Sequence, residues 1–154
     1  MNIMKLVKES QVFAGLSTEE VQKVLSIAAE SLYKKGDVIF HEHSFGEELV
    51  VLLEGKVSIK LMVVSDKEHM PIYIVQPGEV FGELSVIDSG PRSATAVCEE
   101  DAVVKVIKKR ELDALIEKDS RLGMLIYRNI AKIVCERIRR TNEKLINNIT
   151  WGII

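Results

Sequence analysis

Between residues 35 and 107 the apolar residues arrive in short bursts, at 38–40, 49–53, 57–64, 72–75, 94–98 and 103–107, and most of these bursts are rich in Val or Ile. Turn residues separate them at Phe45-Gly46, Glu54-Gly55, Ser65-Asp66 and Gln76-Pro77-Gly78. Their period is that of strands, so each predicts a short strand. Many short strands at regular spacing close into a sandwich or barrel. The predicted fold is α+β, an antiparallel β-roll of the jelly-roll type (a double-stranded β-helix) with helices on its flanks.

Those flanks are legible from their own period. Ser17-Thr18-Glu19-Glu20 is a capping box, and Val21, Val24, Leu25 and Ala28 behind it share one face, which predicts a first helix running to about Ser31. After Lys108-Lys109-Arg110 the helical period returns. Leu112, Leu115 and Ile116 mark a short helix, and from Arg121 a second pattern continues for about thirty residues without a proline. Leu122, Ile126, Ile130 and Ile133 lie along one line of it, while Val134, Ile138, Thr141, Leu145 and Ile149 follow a three-four spacing. At 1.5 Å per residue such a helix spans roughly 45 Å, more than a roll of this size can cover. Its second half needs a partner, and Leu and Ile at seam positions predict the same helix of a second copy, a homodimer through residues 121–148 packed as a short coiled coil. The chain then divides into a roll with its N-terminal helix, 1–120, and a long C-terminal helix, 121–154, serving the same domain as lid and dimerisation seam.

Composition adds limits rather than direction. The 154 residues, 47% apolar and 29% charged, suit one sizeable core, and the net charge is only −2. Residues 121–150 are locally basic, with seven Lys or Arg against two acids, which reads as a solvated helix face in preference to a nucleic-acid contact. Cys98 and Cys135 are isolated thiols without a CxxC spacing and read as reduced. Residues 1–13 lack the apolar core of a signal peptide and no apolar run reaches the length of a membrane span, so a cytoplasmic protein is expected, with no membrane partner.

The chemistry is concentrated in Phe81-Gly82-Glu83-Leu84-Ser85-Val86-Ile87-Asp88-Ser89-Gly90-Pro91-Arg92-Ser93-Ala94-Thr95-Ala96. Gly82 lets a ligand approach the backbone, residues 84–87 have room for about one helical turn with free N–H groups, and Gly90-Pro91 turns the chain before a guanidinium. Arg92 offers a planar fork that matches phosphate oxygens. Glu83 would repel a phosphate but accepts well from a sugar hydroxyl. The stretch asks for a ligand that carries both phosphate and ribose.

On these residues the chain resembles the cyclic nucleotide-binding domain family, whose phosphate-binding cassette reads Phe-Gly-Glu-Leu, a few residues, then Pro-Arg-Ser/Ala-Ala-Thr. The resemblance implies that Glu83 holds the ribose 2′-hydroxyl, that Arg92 pairs with the cyclic phosphate, and that amides around Gly82, Leu84 and Ser93 complete the cradle. Phe81, Ser85, Ala94, Ile59 and Ile72 join the expected site. Residues 137–145 resemble the base-contacting part of the long helix in the catabolite activator branch, which brings in Arg137, Thr141 and Asn142. There Thr141 accepts from the adenine amino group and Asn142 of a second copy reaches the same base, so cAMP is the expected ligand. Ser93 points the other way, because cGMP-selective relatives place a hydroxyl just after the arginine, and cGMP is the alternative. In the transcription-factor branch a helix-turn-helix would begin near Ile149. The sequence ends at Ile154, so the expectation is a sensor without direct DNA binding, with two alternatives for its effector: a protein acting in trans, or the rest of a larger chain of which this is a piece. Two positions depart from the family: His43-Ser44 stand where Gly-Asp is usual, and Val50 replaces a usual tyrosine.

Two other classes compete. Gly36, His41, His43, Glu48 and Gly55 come close to the cupin pattern, in which two histidines and a glutamate bind a metal on a jelly roll. No second motif supplies a further histidine after the Pro-x-Gly turn, His69 lies in a polar hairpin, and the cassette would go unexplained. No metal and no resident cofactor are therefore expected. Ser85 and Ser93 lack a histidine at any suggestive spacing, and Arg92 near the carboxylates Glu83 and Asp88 suits binding better than acid–base work, so no catalytic residue is assigned and the chain is not expected to be an enzyme. A degenerate module that keeps the fold only to dimerise is the remaining alternative.

Overall fold

The capping box acts as its spacing predicts: the Glu20 amide donates to Ser17 Oγ at 3.2 Å, and the Ser17 amide to the Glu20 carboxylate at 2.7 Å. The computed structural model describes residues 2–63 and 68–152, so the turn expected at Ser65-Asp66 lies outside the described residues. Helices α1 (Ile3–Glu9) and α2 (Thr18–Ser26), joined through a 3₁₀ turn at Gln11–Phe13, lead into eight strands. These are β1 (Ala29–Tyr33), β2 (Val38–Phe40), β3 (Glu48–Glu54), β4 (Val57–Val63), β5 (Glu68–Val75), β6 (Val80–Phe81), β7 (Thr95–Cys98) and β8 (Ala102–Lys108). A six-residue helix α3 (Glu83–Asp88) interrupts them, and α4 (Lys109–Lys118) and α5 (Ser120–Gly152) close the chain.

The strands form two four-stranded antiparallel sheets, ordered β1-β8-β3-β6 and β2-β7-β4-β5. Alternation along β3 shows why its run is apolar throughout. Val50 and Leu52 face the other sheet with Val57, Val75, Phe81, Ala96 and Val104, while Leu49, Val51 and Leu53 face the helices with Phe13, Val21, Leu112, Leu122 and Ile126. A strand buried on both faces has no position for a polar residue. Cys98 belongs to the inter-sheet core, and burial pushes its thiol up to about 11, which keeps it protonated and inert.

Three boundaries differ from the sequence reading. Helix α2 stops at Ser26 and not near Ser31, because Ala29–Tyr33 pairs with β8 as a strand, Ala29 opposite Val106 and Tyr33 opposite Ala102. Locally those residues suit a helix, and the strand exists only because β8 is there to bond it. Val80–Phe81 is a strand for the same reason, paired with Val50 and Val51. Strand β5 begins at Glu68, four residues before the apolar burst, since its partner β4 extends that far.

Helix α5 has 33 residues, about 50 Å at 1.5 Å each. Its first half is built into the core through Leu122, Leu125, Ile126, Ile130 and Ile133, and the buried Asn129 amide donates to the carbonyls of Val12 and Ala14 at 3.0 and 2.8 Å. Its second half leaves Ile138, Leu145 and Ile149 exposed. Among the described residues no helix is long and apolar enough to cross a membrane.

Gly55 closes the β3–β4 turn at φ +89°, and a Cβ there would lie 2.1 Å from the Asp101 carbonyl oxygen. Backbone cannot yield as a side chain can. Gly55→Ala is expected to destabilise the fold by about 3 kcal/mol, the upper range for a residue held in a disfavoured backbone region. A urea midpoint within error of the unsubstituted protein would contradict this.

Candidate functional site

Strand β6 runs into Gly82, which takes φ +74° and starts α3 without a side-chain cap. An added Cβ there would lie 2.7 Å from Arg92 Nη1 and 2.9 Å from the Glu48 carbonyl oxygen, so the position admits only glycine while Arg92 is in place. Asp88 accepts from the Gly90 amide at 2.8 Å and closes the turn that returns the chain towards β7. There the Arg92 amide donates to the Ser44 carbonyl and the His43 amide to the Arg92 carbonyl, both at 2.8 Å, which ties the cassette to the loop between β2 and β3.

The Arg92 side chain is 3% exposed. Nη1 donates to the carbonyls of Glu48 and Gly82, each at 3.1 Å, and Nη2 to the Glu48 carboxylate at 2.8 Å. The guanidinium carbon sits 4.2 Å from the centre of the Phe40 ring. Burial pushes the Arg92 pKa down and the carboxylates of Glu48 and Glu83 oppose that shift. Among the described residues Nε alone of the three guanidinium nitrogens has no acceptor, although it is buried. A buried donor without a partner marks a place where a further acceptor fits.

Glu83, 6% exposed, pairs with Arg137 Nη1 of α5 at 2.7 Å. The same guanidinium donates to the Val80 carbonyl and lies 4.8 Å from the Tyr73 ring centre. Tyr73 donates to Glu79 at 2.7 Å, and its hydroxyl pKa is raised, first by burial and then by that carboxylate. One helical turn beyond Arg137, Thr141 Oγ1 donates to the Arg137 carbonyl at 2.9 Å. Lys144 Nζ then reaches the Ile72 carbonyl of β5 at 2.6 Å.

These groups enclose a cavity of about 350 Å³ between the cassette, the β4–β5 sheet and α5. Every residue of the expected site lines it: Phe81, Gly82, Glu83, Leu84, Ser85, Arg92, Ser93 and Ala94 from the cassette, Ile59 and Ile72 from the sheet, and Arg137, Thr141 and Asn142 from α5. Asn142 here borders the cavity of its own chain, whereas the resemblance assigned the Asn142 of a second copy. Sequence reasoning missed Phe40, Tyr73, Val134, Ile138, Arg140 and Lys144 on the same walls. Lys144 was within reach, since 137, 141 and 144 share a helical face. Phe40 was not, because only the folding of β2 onto β7 brings it beneath Arg92.

The residues of the cupin-like pattern are not brought together. Glu48 is engaged by Arg92, His41 and His43 are exposed, and His69 is exposed on β5. Among the described residues no group of three His, Cys, Asp or Glu side chains could hold a metal ion.

Residues 30–119 match the model of a family described as the cyclic nucleotide-binding domain. The chain belongs to the cyclic nucleotide-binding domain family. It is 33% identical over 138 residues to the cyclic AMP receptor protein of Thermus thermophilus, covering 90% of this chain and 62% of that one. To human cGMP-dependent protein kinase 2 it is 30% identical over 97 residues, 63% of this chain and 13% of the kinase. Its structure is similar to that of the Thermus thermophilus catabolite activator protein, with a TM-score of 0.78 and 32% identity over 88% of this chain and 62% of that one. The chain thus spans less than two thirds of the length of these relatives. As a cyclic nucleotide-binding domain it keeps the unusual His43 in a left-handed conformation, φ 66°, where glycine is usual. Val50, in the usual tyrosine's place, lies in the inter-sheet core opposite Phe81 and not in the cavity.

Proposed function

We propose that this domain is a non-enzymatic regulatory module that binds a cyclic nucleotide, cAMP in preference to cGMP, in the cavity beneath α5, and that occupancy is read out as a change in how α5 sits on the roll. The observation that carries this reading is Arg92, a buried cation whose Nε lacks an acceptor on a cavity wall that also presents Glu83. The phosphate takes the free guanidinium edge, and the ribose hydroxyl takes the Glu83 oxygen that Arg137 leaves available. Ion pair Arg137–Glu83 and the Lys144–Ile72 contact span the cavity, so a ligand that sits between roll and helix has different contacts in the helix-on and helix-off states. It can shift their balance only by that difference. Roll 1–120 is the receiving body in this scheme, and 121–154 supplies the lid and, through 121–148, the seam of a cytoplasmic homodimer whose effector is a protein in trans.

Thr141 supports the choice of base. Its hydroxyl proton is committed to the Arg137 carbonyl, which leaves the oxygen facing the cavity as an acceptor. Adenine offers an amino donor where guanine offers a carbonyl. Ser93 on the opposite wall supports the cGMP alternative. Calorimetric titration with each nucleotide tests the reading: cAMP is expected to bind more tightly, and Thr141→Val to reduce that preference by about 1 kcal/mol, the usual net worth of one hydrogen bond. Equal affinities in the unsubstituted protein overturn the base assignment, and no binding of either nucleotide leaves a module that only dimerises.

A further inference from the structure

Arg137 stands on the partition between two cavities. On one side is the site described above. On the other is a cavity of about 330 Å³ against the N-terminal helices, where the carboxylates of Glu9, Glu79 and Glu136 line the wall. Arg137 lines both cavities and its ion pair is with Glu83, so something must hold the guanidinium on that side. What occupies the face of the guanidinium is the Tyr73 ring, 4.8 Å away, and Tyr73 lines both cavities. The ring is itself held: its hydroxyl donates to one oxygen of Glu79 at 2.7 Å, and the other oxygen accepts from the Gln76 amide at 2.8 Å. The turn between β5 and β6 therefore braces the ring, the ring holds the guanidinium in its plane, and the guanidinium holds Glu83.

We propose that Tyr73 is a positioning residue that determines sugar specificity: by keeping Arg137 on Glu83 it turns the carboxylate towards a ribose 2′-hydroxyl, so that the site distinguishes ribonucleotides from 2′-deoxy nucleotides. Tyr73 acts through Arg137 and need not touch the sugar. The inference rests on the cyclic nucleotide reading of the cavity.

The test compares cAMP with 2′-deoxy-cAMP by calorimetry on the unsubstituted protein, Tyr73→Phe, Tyr73→Leu, Arg137→Met and Tyr73→Leu combined with Arg137→Met, with circular dichroism to confirm folding. The unsubstituted domain is expected to prefer the ribose form by at least about tenfold, as for a hydrogen bond to a charged acceptor. Tyr73→Leu is expected to cut that preference about fivefold, the loss of one partly desolvated cation–π contact. Tyr73→Phe, which keeps the aromatic face but loses the bond to Glu79, is expected to keep more of the preference than Tyr73→Leu does, and Arg137→Met is expected to cut it less on top of Tyr73→Leu than it does alone. A Tyr73→Leu protein that loses affinity for both nucleotides by the same factor overturns the inference, as does a Tyr73→Phe protein that behaves like Tyr73→Leu. An unsubstituted protein that binds neither nucleotide overturns the functional reading and this inference together, whereas one that binds both, with a preference untouched by Tyr73→Leu, overturns the inference alone.

Discussion

Arg92→Ala is expected to weaken cyclic nucleotide binding by about two orders of magnitude, because it removes a charge-assisted contact worth about 2–3 kcal/mol. The guanidinium is already oriented before ligand arrives, with Nη1 and Nη2 held by Glu48 and the Gly82 carbonyl and Phe40 beneath it. Little ordering remains to be done on binding, so most of the contact energy appears in the affinity. The fold is expected to survive. The Glu48 side chain is 39% exposed and can be hydrated once its partner is gone, so it is not stranded as a buried charge. A lower melting temperature with an unchanged circular dichroism spectrum is the anticipated control. Arg92→Lys keeps the charge without the fork and is expected to recover only part of the affinity. A dissociation constant for Arg92→Ala equal to that of the unsubstituted protein would remove the cassette from the site.

The second large effect is expected on assembly. Leu145 and Ile149 are 58% and 53% exposed on the second half of α5, at the three-four spacing of a coiled-coil seam. In a homodimer both become buried, and aspartate at either would place two like charges against each other in an apolar seam. Leu145→Asp with Ile149→Asp is therefore expected to convert the dimer wholly to a 17.3 kDa monomer at micromolar concentration. Neither residue borders the cavity lined by the cassette, which makes the pair a clean choice. Sedimentation equilibrium decides it: an unsubstituted protein that is already monomeric with and without ligand refutes the seam, as does a dimer that survives both aspartates.

The cassette was legible because its parts are close in sequence. Gly82, Glu83 and Arg92 fall within eleven residues, and two local features, the left-handed Gly82 and the Gly90-Pro91 turn, decide their order around the cavity. The capping box was legible on the same ground, as both of its bonds join residues three apart. Thr141 could be placed on a helix face from period, its place in the site and that of Asn142 came from the resemblance of residues 137–145, and Lys144, on the face of Arg137 and Thr141, should have been placed with them.

The amino-acid sequence by itself determined the class of fold, the strands whose apolar bursts need cover on both faces, the helix cap at Ser17 and the cavity-lining cassette. Tertiary structure decided what each charge is doing. Arg92 meets Glu48 across 44 residues of sequence, and Glu83 meets Arg137 on the last helix, so no local pattern specifies either pair. It also decided where α2 ends, since residues 29–33 suit a helix on their own and become a strand when β8 offers its backbone groups. The physical reason is common to all three. Caps and turns are set by groups a few residues apart, whereas buried ion pairs and edge strands exist only once distant segments have packed and excluded water from the space between them.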